Sequence, residues 1–360
     1  MKKTLIALAA VAVTSTAMAQ VTMYGVMDVN TYSRSVTTAA GVDAASVTQF
    51  AATAATSAAS GMSSGGLSGS RWGIKGSEDL GGGLTASFQL ESSITASTGA
   101  STGFTRTSAV GVAGGFGSVS AGVLYTPSFS VIGGSDIDGT SGYSTSNLFP
   151  SGVRGSGGFL YTSPKMGDLT AKIMYSNNAS GLNDTTKASL QDISLSYAAG
   201  PLSVAVGMST AKGKTPAVAI VVSTTTALQV LAVAATDTTT KGNVLGVSYD
   251  LGVAKVMLNT ATAKRTNNLT ATTTFKMTES NFGVSVPMGA ISLVAGYGKN
   301  KVTLGTAAGV STNDNMIGAN YRLSKRTDMY VRMSKTGTIN ASGVDAGKVN
   351  TTAVGLRHTF

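Results

Sequence analysis

The sequence contains no cysteine, one histidine and one tryptophan, and only 12% of its 360 residues are charged. Without cysteine there are no disulfides, so a secreted form of the chain must be stable without cross-links. One histidine without cysteine or a close acidic cluster leaves no candidate metal site, and no Ser-His-acid set is evident. We therefore predict no cofactor, no metal and no enzymatic activity. Soluble domains carry about a quarter charged residues, so the low charge indicates a different environment.

Long apolar runs are also scarce, and the first of them lies at the N-terminus. Residues 1–19 combine Lys2 and Lys3, an apolar run from Leu5 to Val13, and a small-residue ending at Ala17-Met18-Ala19. This is the pattern of a secretory signal peptide, and cleavage would leave Gln20 first. A membrane anchor is the alternative, but this run is too short to cross a hydrocarbon core of about 30 Å. We predict a signal peptide at 1–19 and one β domain at 20–360.

The formal net charge is +10, and Lys2 and Lys3 belong to the predicted signal peptide. A basic balance is often a mark of nucleic-acid binding. Here the basic residues are dispersed along the chain, with no cluster that contains interleaved aromatic residues. This distribution favours a lined cavity or a polar rim, and we expect no nucleic-acid partner.

The main pattern of the sequence is alternation with a period of two. At the C-terminus, Val354, Leu356 and Phe360 fall on one face, whereas Gly355 and Arg357 fall on the other. Successive side chains of a β-strand point to opposite faces of the sheet. The same split recurs in segments of about ten residues, which is typical of transmembrane strands, because a closed barrel pairs all its backbone groups in lipid. Alternation also occurs in soluble sandwiches, so turn lengths must distinguish the two.

Tight turns rich in Gly, Pro or Asp occur at seven places, with longer polar segments between them. This spacing predicts an all-β protein, an antiparallel transmembrane β-barrel of 16 strands with long external loops, short periplasmic turns and both chain ends on the periplasmic side. At that strand number the lumen is wide enough for an aqueous channel. The predicted strands are 21–32, 68–78, 83–95, 104–113, 117–126, 154–163, 169–177, 190–198, 202–211, 243–251, 253–263, 274–286, 290–300, 313–323, 328–337 and 350–360.

Two segments do not fit the alternation. Residues 33–67 are rich in Ala, Ser, Thr and Gly, and we expect them to form a long first external loop. Residues 217–235 are strongly apolar, but the threonines at 224–226 divide them into two β-branched halves, as in a hairpin. We expect an external hairpin there, and the alternative is an extra strand pair that would make 18 strands.

The charged residues within the strands indicate which face is wet. Arg71, Lys75, Lys172 and Arg332 each share a face with small or polar neighbours. A Lys or Arg that faces lipid at the middle of the bilayer costs ~2–4 kcal/mol. We therefore expect all four side chains to face water inside the barrel.

Short segments spread over the chain match a known set of motifs. They are Val21–Asp28, Ser70–Leu84, Phe88–Glu91, Gly115–Gly117, Tyr125–Pro127, Tyr161–Pro164, Leu323–Asp328 and Gly355–Phe360. In these segments the sequence resembles the general porins of beta-class proteobacteria.

The resemblance implies a sixteen-stranded homotrimer in the Gram-negative outer membrane, surrounded by outer-membrane lipids. It implies that the third external loop, about Pro127 to Val153, folds into the lumen, and that the C-terminal Phe360 presents the chain to the barrel-assembly machinery. Such porins often prefer anions, through arginines on the wall opposite the third loop. Where the family usually has arginine before the Tyr-Thr-Pro and Tyr-Thr-Ser-Pro motifs, this chain has Val123-Leu124 and Leu160. We therefore expect only a mild anion preference.

The candidate constriction residues carry both signs of charge. Arg71 and Lys75 would form an electropositive wall that attracts anions, or would merely solvate the lumen or pair with carboxylates. Arg154, just after the third loop, would stand beside them. Asp136 and Asp138 in the loop would supply the opposite charge and a transverse field, or would be turn residues that bond locally to the backbone.

Two further carboxylates, Asp28 and Glu91, lie on the wet face. They could be pore charges, but we favour salt bridges to the wall arginines. The sequence thus predicts a general diffusion porin that passes small hydrophilic solutes and inorganic ions passively. A substrate-selective channel and a structural or adhesive surface barrel are the alternatives.

Overall fold

The computed structural model of the protein describes residues 20–38, 59–177, 187–215, 218–224, 227–233, 236–306, 309–339 and 345–360. The predicted signal peptide lies outside the described residues. Antiparallel strands make up most of the described chain. No helix among the described residues is long and apolar enough to cross a membrane.

The strands and the helix are numbered in chain order. They are β1 (Gln20–Thr38), β2 (Ala59–Ser64), β3 (Arg71–Gly81), β4 (Leu84–Thr95), β5 (Ala100–Ser101), β6 (Thr107–Gly114), β7 (Gly117–Tyr125), α1 (Pro127–Gly134), β8 (Arg154–Thr162), β9 (Leu169–Asn177), β10 (Lys187–Ala199), β11 (Leu202–Thr215), β12 (Val218–Thr224), β13 (Ala227–Val233), β14 (Thr236–Asp250), β15 (Lys255–Asn267), β16 (Thr272–Met288), β17 (Ile291–Leu304), β18 (Val310–Arg322), β19 (Thr327–Ile339) and β20 (Asp345–Thr359).

Sixteen of these strands form a closed antiparallel barrel. The ring closes where β20 pairs with β1, from Val26 opposite Thr359 to Thr38 opposite Gly347. The last residue extends this seam, because the Phe360 N–H donates to the Gly25 carbonyl at 3.1 Å and the Gly25 N–H donates to the Phe360 carbonyl at 3.0 Å. Closure leaves no open edge, which is the condition for a sheet in lipid.

The other four described strands do not belong to the ring. Strand β2 pairs with β1 beyond the end of β3, and β5 pairs with the end of β4. Strands β12 and β13 pair only with each other and form a separate hairpin. The prediction of 16 barrel strands is therefore confirmed, residues 217–235 contain the expected hairpin, and the alternative of 18 strands is wrong.

The strands extend further at the long-loop end than alternation predicted. Strand β1 continues to Thr38 and residues 59–64 form β2, so the expectation of a strandless loop over 33–67 is wrong at both of its ends. Strands β15 and β16 are joined by a turn at 268–271 rather than by a long loop. Beyond the bilayer both faces of a strand are wet, so the backbone ladder continues where the apolar alternation has ended.

The two faces of the barrel follow the predicted alternation. On β19, Met333 is 51% exposed on the outer face, whereas Arg332 is 0% exposed inside the barrel. The sequence of β6 alone does not show which of its faces is wet. Its Val110 and Val112 are exposed outside, and the preceding Arg106 bonds to Glu91 inside. The apolar outer face is thus continuous with that of neighbouring strands.

The third loop lies inside the barrel, as predicted. Its helix α1 begins at Pro127, a favoured first helical residue, and the hydroxyl of Thr126 caps it by accepting from the Phe129 N–H at 3.2 Å. The buried side chains of Val131 and Ile132 pack against Val244 of β14 and Ala261 of β15. This small core fixes the loop against one side of the wall.

The assignment of faces predicts contrasting effects for two arginine substitutions. Ile317 is 58% exposed on the outer face of β18, and Ile317→Arg should destabilise the barrel by ~2–4 kcal/mol because it places a charge in lipid. Ser87 shares the wet face of β4 with Gln89 and lines a lumenal cavity of about 440 Å³, so Ser87→Arg should fold normally. Urea unfolding of both variants in lipid vesicles is the measurement, and equal losses would contradict the assignment.

Candidate functional site at the third loop

The third loop is held against the wall of the barrel by several hydrogen bonds to buried polar side chains. The Ser128 hydroxyl donates to Asp192 of β10 at 2.7 Å. The Asn147 N–H donates to both carboxylate oxygens of Glu279 of β16, at 3.0 and 3.1 Å. The Asn259 amide of β15 donates to the Ser135 carbonyl at 3.1 Å. Because these bonds reach three different strands, the loop cannot leave the lumen without breaking several of them.

The tip of the loop is fixed by an ion pair with β19. The Arg332 guanidinium donates to both oxygens of Asp138, at 2.9 Å from Nε and 2.7 Å from Nη2. Both side chains are buried, at 0% and 5% exposure. Arg332 also donates to the Asn320 side chain and to the carbonyl of Ala319. A bidentate, fully bonded guanidinium is the geometry that offsets the cost of burying two charges.

A cluster of arginines lies on the wall beside the loop. The Nε atom of Arg106 donates to Glu91 Oε1 at 2.7 Å, and the Nε atom of Arg71 lies 3.5 Å from Glu91 Oε2. Arg71 also donates to the Ser68 hydroxyl and to the Gly69 carbonyl, both at 2.9 Å. One carboxylate therefore orients two guanidinium groups.

A third guanidinium, that of Arg154 at the start of β8, completes the cluster. It lies 4.3 Å from the centre of the Tyr125 ring and donates to the Tyr125 hydroxyl at 2.6 Å. Arg106 donates to the same hydroxyl at 3.0 Å. The Tyr125 ring in turn stacks on Phe129 of α1, with centroids 5.2 Å apart. The aromatic stack holds Arg154 in place and links the cluster to the loop.

The arginine cluster, defined as Arg71, Arg106 and Arg154, faces the loop across a cavity of about 390 Å³. The loop side of this cavity consists of small, hydroxyl and aromatic residues. The lining residues from the loop are Phe129, Gly133, Gly139, Thr140, Ser141, Gly142, Phe149 and Val153. Its lining contains three guanidinium groups and no carboxylate, so the charge of the site is positive.

The structure brings together two of the predicted basic residues. Arg71 and Arg154 both line the cavity beside the loop. Lys75 lies further along β3, with its ammonium 5.3 Å from the centre of the Tyr24 ring, and lines a different lumenal cavity. Lys75 therefore faces the lumen but does not contact the arginine cluster.

The two acidic residues of the loop do not line the cavity at the arginine cluster. Asp136 is buried and accepts from the N–H groups of Asp138 and Thr140 and from the Ser144 hydroxyl. Burial raises the pKa of the Asp136 carboxyl above its ordinary value, and the bonds from Thr140 and Ser144 oppose that effect. Asp138 is paired with Arg332. Asp136 is thus a turn residue that bonds locally, which is the alternative that the sequence offers to a pore charge. The charge of Asp138 is neutralised by Arg332.

Of the two carboxylates that we expected to pair with arginines, only Glu91 does so. Asp28 is fully buried and accepts instead from the Tyr330 hydroxyl at 2.6 Å and from the N–H groups of Leu67 and Ser68, both at 2.7 Å. That expectation is wrong for Asp28, because the chain between β2 and β3 turns into the barrel and brings its backbone donors to the carboxylate.

The sequence reading missed Arg106 and Tyr125 as members of the site. Arg106 precedes β6, whose sequence does not show which face is wet, but the pairing of Thr107 with Glu91 places Arg106 beside that carboxylate. Tyr125 belongs to the Tyr125–Pro127 motif, which indicates a family resemblance but no contact with an arginine. No group of three or more His, Asp or Glu side chains in the described part of the chain could hold a metal ion.

A closed barrel with an apolar outer face, an interior loop and a positively charged cavity defines a membrane channel protein. The chain matches the model of the Gram-negative porin family over residues 4–338. It is 29% identical to outer membrane porin protein 32 of Delftia acidovorans over 100% of both chains. It is 28% identical to an outer membrane porin protein of Bordetella pertussis, over 83% of this chain and 84% of that protein.

Solved porin structures share the fold. The anion-selective porin from Comamonas acidovorans superimposes with a TM-score of 0.75 at 24% identity, over 95% of this chain and 100% of that one. The trimer form of OmpT from Vibrio cholerae gives a TM-score of 0.66 at 18% identity, over 95% and 99% of the two chains. The chain belongs to the Gram-negative porin family and is a protein of the outer membrane.

Proposed function

We propose that the protein is a general diffusion porin that passes small hydrophilic solutes and inorganic ions through a water-filled lumen, with a mild anion preference and without chemistry. The observation that carries the preference is the cavity beside the third loop, which is lined by three guanidinium groups and no carboxylate. Low-dielectric walls concentrate such a field and raise the local concentration of anions. The likeness to an anion-selective porin agrees with this proposal.

In this proposal Arg71 and Arg154, with Arg106, form the wall of the constriction, and Lys75 adds positive charge on the lumenal face of β3. Glu91 tempers the preference because it neutralises part of the cluster. Asp138 contributes to the constriction because its ion pair with Arg332 fixes the tip of the loop. Asp136 contributes because its hydrogen bonds shape the turn that contains Asp138.

We also propose that the chain is exported with a cleaved signal peptide at 1–19 and works as a homotrimer. The trimer form of a structural neighbour supports the assembly. In this proposal Phe360 has two roles. Its backbone closes the barrel seam. Before the barrel closes, its free aromatic ring presents the chain to the barrel-assembly machinery.

Single-channel recording and liposome swelling test the proposal of a general diffusion pore. We expect ohmic currents and swelling rates that fall smoothly with sugar size, as in passive diffusion through a water-filled lumen. Saturable permeation or current block by one dicarboxylate or sugar would instead establish a substrate-selective channel. A purified, folded trimer that conducts no ions would support a structural or adhesive protein.

A further inference from the structure

A second cavity in the lumen lies on the short-turn side of the third loop. Its volume is about 420 Å³, and it extends from the loop tip to the short-turn ends of β18 and β19, at Arg322 and Asp328. Cavities of this size hold small organic ligands. Its lining shares Leu67, Ser68 and Gly139 with the cavity at the arginine cluster. The two cavities are therefore neighbours, and a solute that passes the arginine cluster next meets the second cavity.

The charged residues of the second cavity alternate in sign across adjacent strands. In the strand register, Arg322 of β18 lies opposite Asp328 of β19, and Asp328 lies opposite Arg357 of β20. Among the described residues, its lining contains these two guanidinium groups and two carboxylates, the second being that of Asp138 at the loop tip. The lining thus carries both signs of charge and has no net charge, whereas that of the arginine cluster is positive.

Some of these charged groups already have partners. The Nη2 atom of Arg357 donates to Asp328 Oδ2 at 2.6 Å, which fixes the orientation of this carboxylate. Both oxygens of Asp138 accept from Arg332, which does not line the cavity.

Two groups of opposite charge are left without a partner. Within the described part of the chain, neither Asp328 Oδ1 nor the guanidinium of Arg322 forms a hydrogen bond or an ion pair. Their strand positions are directly opposite, which places the Cβ atoms about 4.5–5.5 Å apart. The two groups nevertheless do not contact each other, so both are open to a solute in the cavity.

The cavity also has an apolar part, formed by Leu67, Ile137 and Ala290. Ile137 is fixed against the wall, because it packs where β16 and β17 have glycine. A Cβ atom added at Gly283 would lie 2.6 Å from the Ile137 side chain, and one added at Gly296 would lie 3.3 Å from it. A solute with an apolar group gains free energy from contact with this surface, since the contact removes apolar area from water.

We propose that the second cavity binds zwitterionic α-amino acids with apolar side chains as they cross the lumen. The proposal rests on the proposed function, because the solute reaches the cavity through the open channel. The guanidinium of Arg322 donates to the α-carboxylate, a pairing that is commonly bidentate. Asp328 Oδ1 accepts from the α-ammonium group, and the apolar part of the cavity contacts the side chain. Binding is weak, because a conducting pore must also release its solute.

The balance of charge distinguishes this site from the arginine cluster. An anion has no donor for Asp328, and it is attracted more strongly by the arginine cluster. A cation has no acceptor for Arg322 and is repelled by it. A zwitterion satisfies both groups at once, so it is the class of solute that the cavity fits best.

Saturation-transfer NMR of the purified, folded protein in deuterated detergent, with L-leucine as the observed ligand, tests the proposal. We expect L-valine, which has both charges, to displace leucine. N-acetyl-L-leucine lacks the ammonium charge and L-leucinamide lacks the carboxylate. Each loses one charge-assisted hydrogen bond and should compete about tenfold less well than valine. This comparison uses the wild-type protein alone, so it decides the proposal even where a variant fails to fold.

Variants locate the site. Arg322→Gln and Asp328→Asn should each weaken leucine binding about tenfold, and Arg322→Lys, which keeps the charge, should restore part of it. Arg326→Gln is the matched control, because it removes the same charge from the neighbouring short turn, outside the lining of the cavity. It should bind leucine as the wild type does.

Three results would overturn the proposal: equal competition by valine, N-acetyl-leucine and leucinamide, unchanged binding by Arg322→Gln, or an equal loss in Arg326→Gln. Ion conductance in planar bilayers, measured on the same preparations, keeps the two proposals apart. A protein that conducts ions but shows no such preference for zwitterions would contradict this inference alone. A folded protein that conducts no ions would contradict the proposed function.

Discussion

Replacing Asp138 with alanine should release the tip of the third loop and increase both single-channel conductance and current noise. The substitution leaves Arg332 buried without its carboxylate, and breaking one half of a buried pair costs about 3–5 kcal/mol. The bonds of Ser128, Asn147 and Asn259 to the wall remain, so the loop stays in the lumen while its tip near Gly139 loosens.

Removal of both partners is the control for this prediction. Asp138→Ala combined with Arg332→Met leaves no buried unpaired charge, so the double variant should recover part of the lost stability to thermal unfolding. Its conductance should remain raised, because the tip has still lost its anchor. If Asp138→Ala alone conducted as the wild type does and melted at the same temperature, the ion pair would not hold the loop.

Charge substitutions around Glu91 should move the ion selectivity in opposite directions. Glu91→Gln leaves the guanidinium groups of Arg71 and Arg106 without their carboxylate and should strengthen the anion preference. Arg71→Glu brings the cluster close to neutrality and should abolish the preference. The effect of each should shrink as ionic strength rises, since the screening length falls from about 10 Å at 0.1 M salt to about 3 Å at 1 M.

Matched charge changes far from the constriction control for a general field effect. Asp250→Asn and Lys325→Glu alter the same charges in short turns at the periplasmic rim, and both should leave the reversal potential close to that of the wild type. A shift from Lys325→Glu as large as that from Arg71→Glu would place the selectivity filter elsewhere.

The number of barrel strands and the orientation of their faces could be predicted because the bilayer imposes them on every segment. In β19, the exposed residues Met329, Val331 and Met333 alternate with the buried residues Tyr330 and Arg332. This alternation indicates lipid on one side of the strand and the barrel interior on the other, and it does not depend on the conformation of the loops. The ends of β1 and β11 were less predictable. Outside the bilayer both faces of a strand contact water. The segments around Thr37 and Lys214 therefore show no apolar alternation, although their backbone hydrogen-bond ladder continues.

The partners of the charged residues in the lumen could not be predicted from the local sequence pattern. The sequence placed Asp28 and Glu91 on the same wet face, but their partners come from elements far away in the chain. Glu91 meets Arg106 through the register of β4 with β6, whereas Asp28 meets Tyr330 through the closure of the barrel. The pairing of Asp138 with Arg332 joins a loop to a strand 194 residues later. Such contacts follow from the tertiary structure and cannot be predicted from the alternation of apolar and polar residues.

The reversal potential of the wild-type channel in a planar bilayer under a salt gradient tests the account most directly. A hydrated lumen whose narrow part is lined by Arg71, Arg106 and Arg154 predicts a potential of the sign that anion flux produces. A potential at zero, or one of the sign that cation flux produces, would contradict it.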